Sequence, residues 1–420
     1  MRIIIIFSIS VVFLTIIQLY LLKHIALWST KLYPSRQKLI RNCFFLFFLA
    51  GDAAIFMRFL WSRLGGYESA FAQSVIYFAG VFAAINLTAL IIFILHRLLK
   101  LSMMLVRKIA ARIKPPTPSS AENKPGALEN HNDFDVGRRR FLQFSGRNFV
   151  LASFGAPVLA ALSTSREYKI KQVPVYFSNL PSGLNGLTIA QISDIHSGVF
   201  MTENQIREIF DIVNSLHPNM IAITGDFIDS TNAEIPPVYN AVDMLQADYG
   251  VFGCLGNHDH FADWRKLSAA LTEKDVQLLT NVNRNLNVNG ERLSMAGVDD
   301  AGRGFANFAD IEKAVQGVDP DAFKILLSHR PAFFPEAKRH GIDLTLAGHT
   351  HGGQVIGDNF GIEINPIRYF HRYLEGLYQE DGRQLYVNVG VGVAAVPIRL
   401  VPREITLLTL YRGQDDTRTP

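Results

Sequence analysis

"IDLTLAGHTHGG", residues 342–353, is an apolar run of strand length that stops at two histidines set among glycines. The same pattern recurs along the chain. "LTIAQISDIHSG" (187–198), "MIAITGDFID" (220–229), "GVFGCLGNHDH" (250–260) and "FKILLSHRP" (323–331) each run apolar and then close on Asp, Asn or His. "LYVNVGVG" (385–392) and "ITLLTLYR" (405–412) add two further apolar strands. Helical patterns lie between the early ones, such as "TENQIREIFDIVNSLH" (202–217), with Thr202 placed to cap it. Near-continuous apolar strands alternating with helices predict an α/β sheet covered on both faces. In such sheets ligands sit at the carboxyl ends of the strands, and there this sequence gathers its Asp, Asn and His.

Each piece has an ordinary reading by itself. Asp194 and His196 in "SDIH" can be a capping Asp and a buried His, and Asp226 and Asp229 in "GDFID" can be turn chemistry. "GNHD" (256–259) can be a polar turn, and His329 a single satisfied histidine. Taken in order, however, D-x-H, G-D, G-N-H-D, H and G-H-x-H terminate successive strands. Chance does not assemble five such elements. Glycines at 225, 256, 348, 352 and 353 flank them, giving tight turns and room for a close backbone approach.

Through these residues the stretch 180–412 resembles the calcineurin-like metallophosphoesterases. The intervals between Asp194, Asp226, Asn257, His329 and His349 (32, 31, 72 and 20 residues) fit that family. "GHTHGGQ" and the ending "YVNVGVGVAAVPIRL" with "PREITLLTL" resemble its bacterial membrane-associated branch. The resemblance implies a four-layer sandwich, two facing β-sheets flanked by helices, with a two-metal centre between them. Residue by residue it implies Asp194, His196 and His351 as ligands of a first ion, and Asn257, His329 and His349 as ligands of a second. Asp226 would bridge both.

Carboxylate, imidazole and amide oxygen together suit divalent Mn, Fe or Zn. A shared carboxylate can hold two ions at the roughly 3.5–4 Å spacing that in-line phosphoryl displacement requires, and the ions would offset charge developing on the phosphate oxygens. His258 matches the family's donor of a proton to the leaving group, and Asp259 would orient it. Asp229 is expected to support a ligand from behind, and His260 to lie on the surface.

The chain's charge divides sharply. Residues 1–147 hold 19 Lys/Arg against 6 Asp/Glu, and residues 148–420 hold 22 against 31. The basic part alternates its charges with long apolar blocks, a membrane pattern and not a nucleic-acid footprint. "IIIIFSISVVFLTIIQLYLL" (3–22) is twenty uncharged residues, enough for about 30 Å of hydrocarbon. Blocks at about 42–61 and 70–95 follow, and Asp52, costly in lipid, is expected to face the bundle interior. Lys/Arg at 23, 31, 36, 38 and 41, and again from 97 to 114, place both of those segments in the cytoplasm, with the N-terminus outside.

Residues 114–137 read as a flexible linker, rich in Pro, Ser and Asn. Arg138-Arg139-Arg140-Phe141-Leu142-Gln143 resembles a twin-arginine export signal ahead of a fourth hydrophobic helix, within 138–164. The expected organisation is therefore a three-helix membrane region (1–113), linker, signal-like helix and a catalytic domain (165–420). That makes a multi-pass protein of the bacterial inner membrane whose catalytic domain is extracytoplasmic, with the twin-arginine export machinery as a partner. Two cysteines, Cys43 and Cys254, exclude a Cys-rich zinc module.

The activity expected is that of a phosphodiesterase or pyrophosphatase on a membrane-surface or cell-envelope phosphoester, lipid-linked substrates included. Residues 360–378 carry Phe360, Tyr369, Phe370 and Tyr373 beside Arg368 and Arg372, a set that either docks a lipid headgroup or packs into the core. Two other classes compete. A transporter or sensor with a regulatory phosphoesterase attached has Asp52 as its only support. A metal-binding scaffold without catalysis would show a broken ligand set, and the set is intact.

Overall fold

The computed structural model describes residues 2–64, 69–113, 148, 151–161, 168–302, 308–354, 371–394 and 396–413. The linker, the twin-arginine-like hexamer and residues 360–370 of the aromatic stretch lie outside them. The chain forms two compact units, Met1–Met57 with Phe78–Leu162, and Arg58–Tyr77 with Ser163–Pro420.

The helical unit draws on α1 (Arg2–Leu32), α2 (Gln37–Leu64), α3 (Ala70–Ile113) and α4 (Leu151–Ala161). Ile17, Leu21 and Ile25 of α1, Phe48 of α2 and Phe82 of α3 make its core, with Phe154 of α4 packed against them. Its interior also holds a polar pair, Gln18 Nε2 donating to Asp52 Oδ1 at 2.8 Å. Its exterior is apolar: Leu19, Leu46 and Leu87 are each more than half exposed. Among the described residues, Pro34–Arg58 and Phe71–Val106 are long and apolar enough to cross a membrane.

The second unit is the α/β sandwich. One sheet has the order β1 (Tyr168–Phe177), β12 (Arg403–Arg412), β2 (Thr188–Ile192), β3 (Met220–Thr224), β4 (Val251–Cys254), β5 (Val276–Leu278). The other runs β10 (Gly376–Glu380), β11 (Arg383–Val387), β9 (Leu344–Ala347), β8 (Phe323–Leu327), β7 (Glu291–Gly297), β6 (Val282–Val288). Strands β2 to β5 are parallel in the first sheet, as are β7, β8, β9 and β11 in the second.

Strand periodicity explains the layers. Along β3, Met220 and Ala222 point to the other sheet and meet Phe252, Ile325, Leu327 and Leu346 in a common core. Ile221 and Ile223 point the opposite way, onto α5 (Glu203–Ser215), α6 (Ile235–Val242) and α7 (Trp264–Glu273). The far side of the second sheet is covered by α8 (Ile311–Ala314) and α9 (Phe334–Arg339) through Ala296, Leu326, Ala314 and Ala337. With both faces of β3 buried, its sequence reads as an unbroken apolar run. Thr202 caps α5 as expected, its N–H donating to Gln205 Oε1 at 3.0 Å.

Candidate metal centre

Five parallel strands end at one place. Asp194 and His196 follow β2, Asp226 follows β3, and Asn257 and His258 follow β4; His329 follows β8, and His349 and His351 follow β9. Asp194, His196, Asp226, His349 and His351 all have φ between 48° and 73°. Non-glycine residues seldom adopt that left-handed region, and when they do it is commonly where function has imposed the geometry. The bend turns each side chain off its strand and into a shared space. Gly348 is required by crowding, since a Cβ there would strike Ser193 Oγ and Asp194 Oδ2.

The donors form two groups joined by one carboxylate. In the first, His351 Nε2 lies 3.2 Å from His196 Nε2 and 3.4 Å from Asp194 Oδ1. In the second, His329 Nε2 lies 3.2 Å from Asn257 Oδ1 and 3.1 Å from His349 Nδ1. Asp226 Oδ2 reaches both, 3.7 Å from His196 Nε2 and 3.2 Å from His329 Nε2. All seven residues taken from the sequence as metal ligands therefore meet. Asp194–His196–His351 and Asp226–His329–His349 each offer ligand atoms close enough to hold one ion.

The chemistry of the set fits divalent cations. Two imidazole nitrogens 3.2 Å apart leave room for at most one proton between them, and with that proton gone both lone pairs face the same space. Asp194 Oδ1 is buried and makes no hydrogen bond, a costly state for a carboxylate oxygen unless a cation meets it. Burial and the neighbouring His329 push His349 well below the usual histidine range, and burial with His196 does the same to His351. Burial would raise Asp226, but His329, His196 and His258 hold it well below the carboxylate range.

The outer contacts bring two corrections. Asp259 does not orient His258. Its carboxylate turns to the backbone, accepting from the N–H groups of Asp226 at 3.0 Å, Ile228 at 3.2 Å and Gly256 at 2.8 Å. It thus ties the β3 turn to the β4 turn. Asp229 takes the orienting place, with Oδ1 3.5 Å from His258 Nδ1 and 3.4 Å from His196 Nδ1, and its backbone oxygen also meets His258 Nδ1. Burial alone would lower His258, yet Asp229 and Asp226 push it up to about 9. His260 is the second correction: it is not a surface residue. Its Nε2 meets Asp299 Oδ1 at 2.6 Å and its ring stacks on Phe308 at 4.6 Å.

The sequence reading also passed over two arginines. Arg330 pairs with Asp300, Nε to Oδ1 at 2.6 Å, and its Nη1 stands 2.9 Å from His349 Nε2. Arg399 stands behind His351. Arg330 was legible as the neighbour of His329 in "SHRP", whereas nothing local marks Arg399. A cavity of about 1000 Å³ opens beside His349, lined among others by Arg330, Phe308, Phe333, Arg339 and Arg372. Of the aromatic stretch, Tyr373 packs into the core edge-on to Phe334, its hydroxyl donating to Glu380 Oε1 at 2.8 Å.

Comparison with known proteins places this geometry. The profile of the calcineurin-like phosphoesterases matches residues 187–353. The chain is 30% identical over 284 residues to a Bacillus subtilis (strain 168) protein named "Uncharacterized metallophosphoesterase YkuE", covering 64% of this chain and 98% of that one. It is 31% identical over 284 residues to an "Uncharacterized metallophosphoesterase" of Helicobacter pylori (strain J99), covering 66% and 74%. A Bos taurus "Transmembrane protein with metallophosphoesterase domain" is 31% identical over 269 residues, covering 60% of this chain and 59% of its own length.

Proposed function

Because the chain belongs to the calcineurin-like phosphoesterases, we propose that it is a membrane-anchored phosphodiesterase or pyrophosphatase with a two-metal centre. Its substrate would be a phosphoester at the membrane surface or in the cell envelope, lipid-linked ones included. The observation that carries this reading is the sharing of Asp226 Oδ2 between two converging donor sets, with His258 beside them.

Asp194, His196 and His351 would hold one ion, Asn257, His329 and His349 the other, and Asp226 both. The donor types suit Mn, Fe or Zn. Bound there, such ions supply Lewis acidity toward a phosphoryl group and lower the pKa of water. The chain's own residues do the rest. His258, its ring faced by Asp229, would give its proton to the departing oxygen, and Asp229 would fix the ring for that transfer. The cavity beside His349 would take the organic part of the substrate.

The apolar exterior of the helical unit and the length of two of its helices support anchoring in a membrane, in this reading the bacterial inner membrane. The Lys/Arg distribution and the twin-arginine-like segment support an extracytoplasmic catalytic unit and recognition by the twin-arginine export machinery. Asp52 accepts a hydrogen bond from Gln18 at 2.8 Å, which gives it a structural role within the helical unit.

The test is turnover by the full detergent-solubilised chain loaded with Mn, Zn or Fe. Bis(p-nitrophenyl) phosphate and a lipid-linked pyrophosphate are assayed side by side. Metal-dependent cleavage that Asp226→Asn abolishes is expected; a metal-loaded chain that cleaves neither class overturns the reading. Protease accessibility in intact cells reports the side of the membrane.

A further inference from the structure

Arg399 is the largest wholly buried side chain among the described residues, with 0% exposure. It lies on the segment that leads from the end of β11 to β12. Burying a guanidinium is expensive unless its hydrogens are all met. Here Nε donates to Val401 O at 3.0 Å, Nη1 to Gly392 O at 2.6 Å, and Nη2 to Val389 O at 2.7 Å and Gly390 O at 2.9 Å. Four carbonyl dipoles offset its charge, and Nη1 also stands 3.1 Å from His351 Nδ1.

The carbonyls it gathers belong to a stretch that is itself fastened to Asp194. Val391 N donates to Ser193 O at 3.0 Å, and Gly392 N to Asp194 O at 2.8 Å. The approach leaves no slack: a Cβ on Gly390 would lie 2.8 Å from Asp194 Cβ, and one on Gly392 would strike the carbonyls of Asp194 and Ile195. Arg399 thus reaches Asp194 through the Val389–Gly392 backbone, and it packs against His351 Nδ1 without a hydrogen bond, since that nitrogen carries the ring proton when Nε2 faces an ion. None of the hydrogen bonds just given goes to Asn257, His329 or His349. An apolar side chain could fill the same volume. Only a guanidinium supplies five N–H groups in one fixed plane.

We propose that Arg399 is a positioning residue for the first ion of the pair, setting Asp194 through the backbone it gathers and acting on the second ion only through Asp194, whose Oδ2 accepts from His349 N at 2.9 Å. The inference rests on the two-metal reading above. Removing the guanidinium should weaken the first site by about 10- to 100-fold, the usual range when an outer partner of metal ligands is lost.

The experiment uses the full chain in detergent, dialysed against Mn(II). It compares Arg399→Met, which keeps bulk without donors, with Arg399→Lys, which keeps the charge with fewer donors. Metal per chain is measured by mass spectrometry and spin coupling by electron paramagnetic resonance, with circular dichroism as the check on folding. The wild type should hold two coupled Mn(II). Arg399→Met, folded, should hold one with the six-line spectrum of an isolated ion, and Arg399→Lys should fall between. A folded Arg399→Met that keeps the coupled pair, or that loses both ions together, overturns the proposal. Should Arg399→Met fail to fold, Arg399→Lys decides: normal occupancy and coupling would count against it. A wild type that binds a single ion would instead overturn the two-metal reading itself.

Discussion

His258 and the two carboxylates near it show how a single position divides roles. Asp229 faces the ring, and Asp259, the immediate neighbour in sequence, faces the backbone. Asp229→Asn should therefore impair protonation of the leaving group. Asp259→Asn should lower stability, because it weakens a carboxylate that joins two turns by three hydrogen bonds. Turnover of esters with good and poor leaving groups, set against denaturant melts, separates the two. His258→Gln should slow cleavage of poor leaving groups by about 10²- to 10⁴-fold, and p-nitrophenyl esters less, since their leaving group departs unprotonated.

The pH dependence has a definite sign. In metal-free protein, His258 is raised from 6.5 to about 9, so the folded state keeps its proton past neutrality. That contribution to stability is complete below about 6.5 and is lost as pH rises through about 9. His258→Gln should flatten the metal-free stability profile across that window. Sequence proximity misled on Asp259 because it opens the 3₁₀ turn Asp259–Phe261, where its carboxylate folds back onto the N–H groups of Asp226, Ile228 and Gly256 and away from the adjacent imidazole. Asp229 was recognisable as a supporting residue, but which imidazole it supports depends on a turn geometry that sequence alone does not fix.

At the scale of elements, the seven strands legible as apolar runs were β2, β3, β4, β8, β9, β11 and β12, all interior to their sheets. The strands that escaped were β1, β5, β6 and β10, the four sheet edges, and β7, which neighbours one of them. Edge strands keep a solvated side and carry polar residues there, as in "VNRNLNV" of β6 or "YKIKQVPVYF" of β1. Their apolar signal is diluted for that reason. The donor-bearing strand ends were legible because they follow buried strands. Helix α5 was legible through its apolar stripe and its cap, and Thr202→Ala should cost about 1 kcal/mol of stability. Chemical denaturation should register that loss while turnover at saturating substrate stays unchanged.

For the whole molecule, the two donor groups each draw on both sheets. Asp194, His196, Asp226 and Asn257 come from one sheet, and His329, His349 and His351 from the other. Ions bound there would tie the layers together as well as serve chemistry. A ligand at about 100 times its dissociation constant stabilises a fold by about 2.7 kcal/mol. Chelation should accordingly lower the melting temperature of the catalytic unit by roughly 5–10 °C, and differential scanning calorimetry before and after re-addition of Mn would measure it. The helical unit, with no part in these donor groups, should melt unchanged.

The division of ligands between layers is also a division along the chain. Asp194, His196, Asp226 and Asn257 all precede the β5–β6 connection, and His329, His349 and His351 all follow it. A break in the backbone near residue 280 would leave each fragment with an incomplete coordination set. Neither fragment would carry both donor groups by itself, so regained binding of two ions, and not of one, would report that the fragments had reassembled. The site is in this sense a covalent stranger to itself, a pocket that exists only where two distant stretches of one chain find each other.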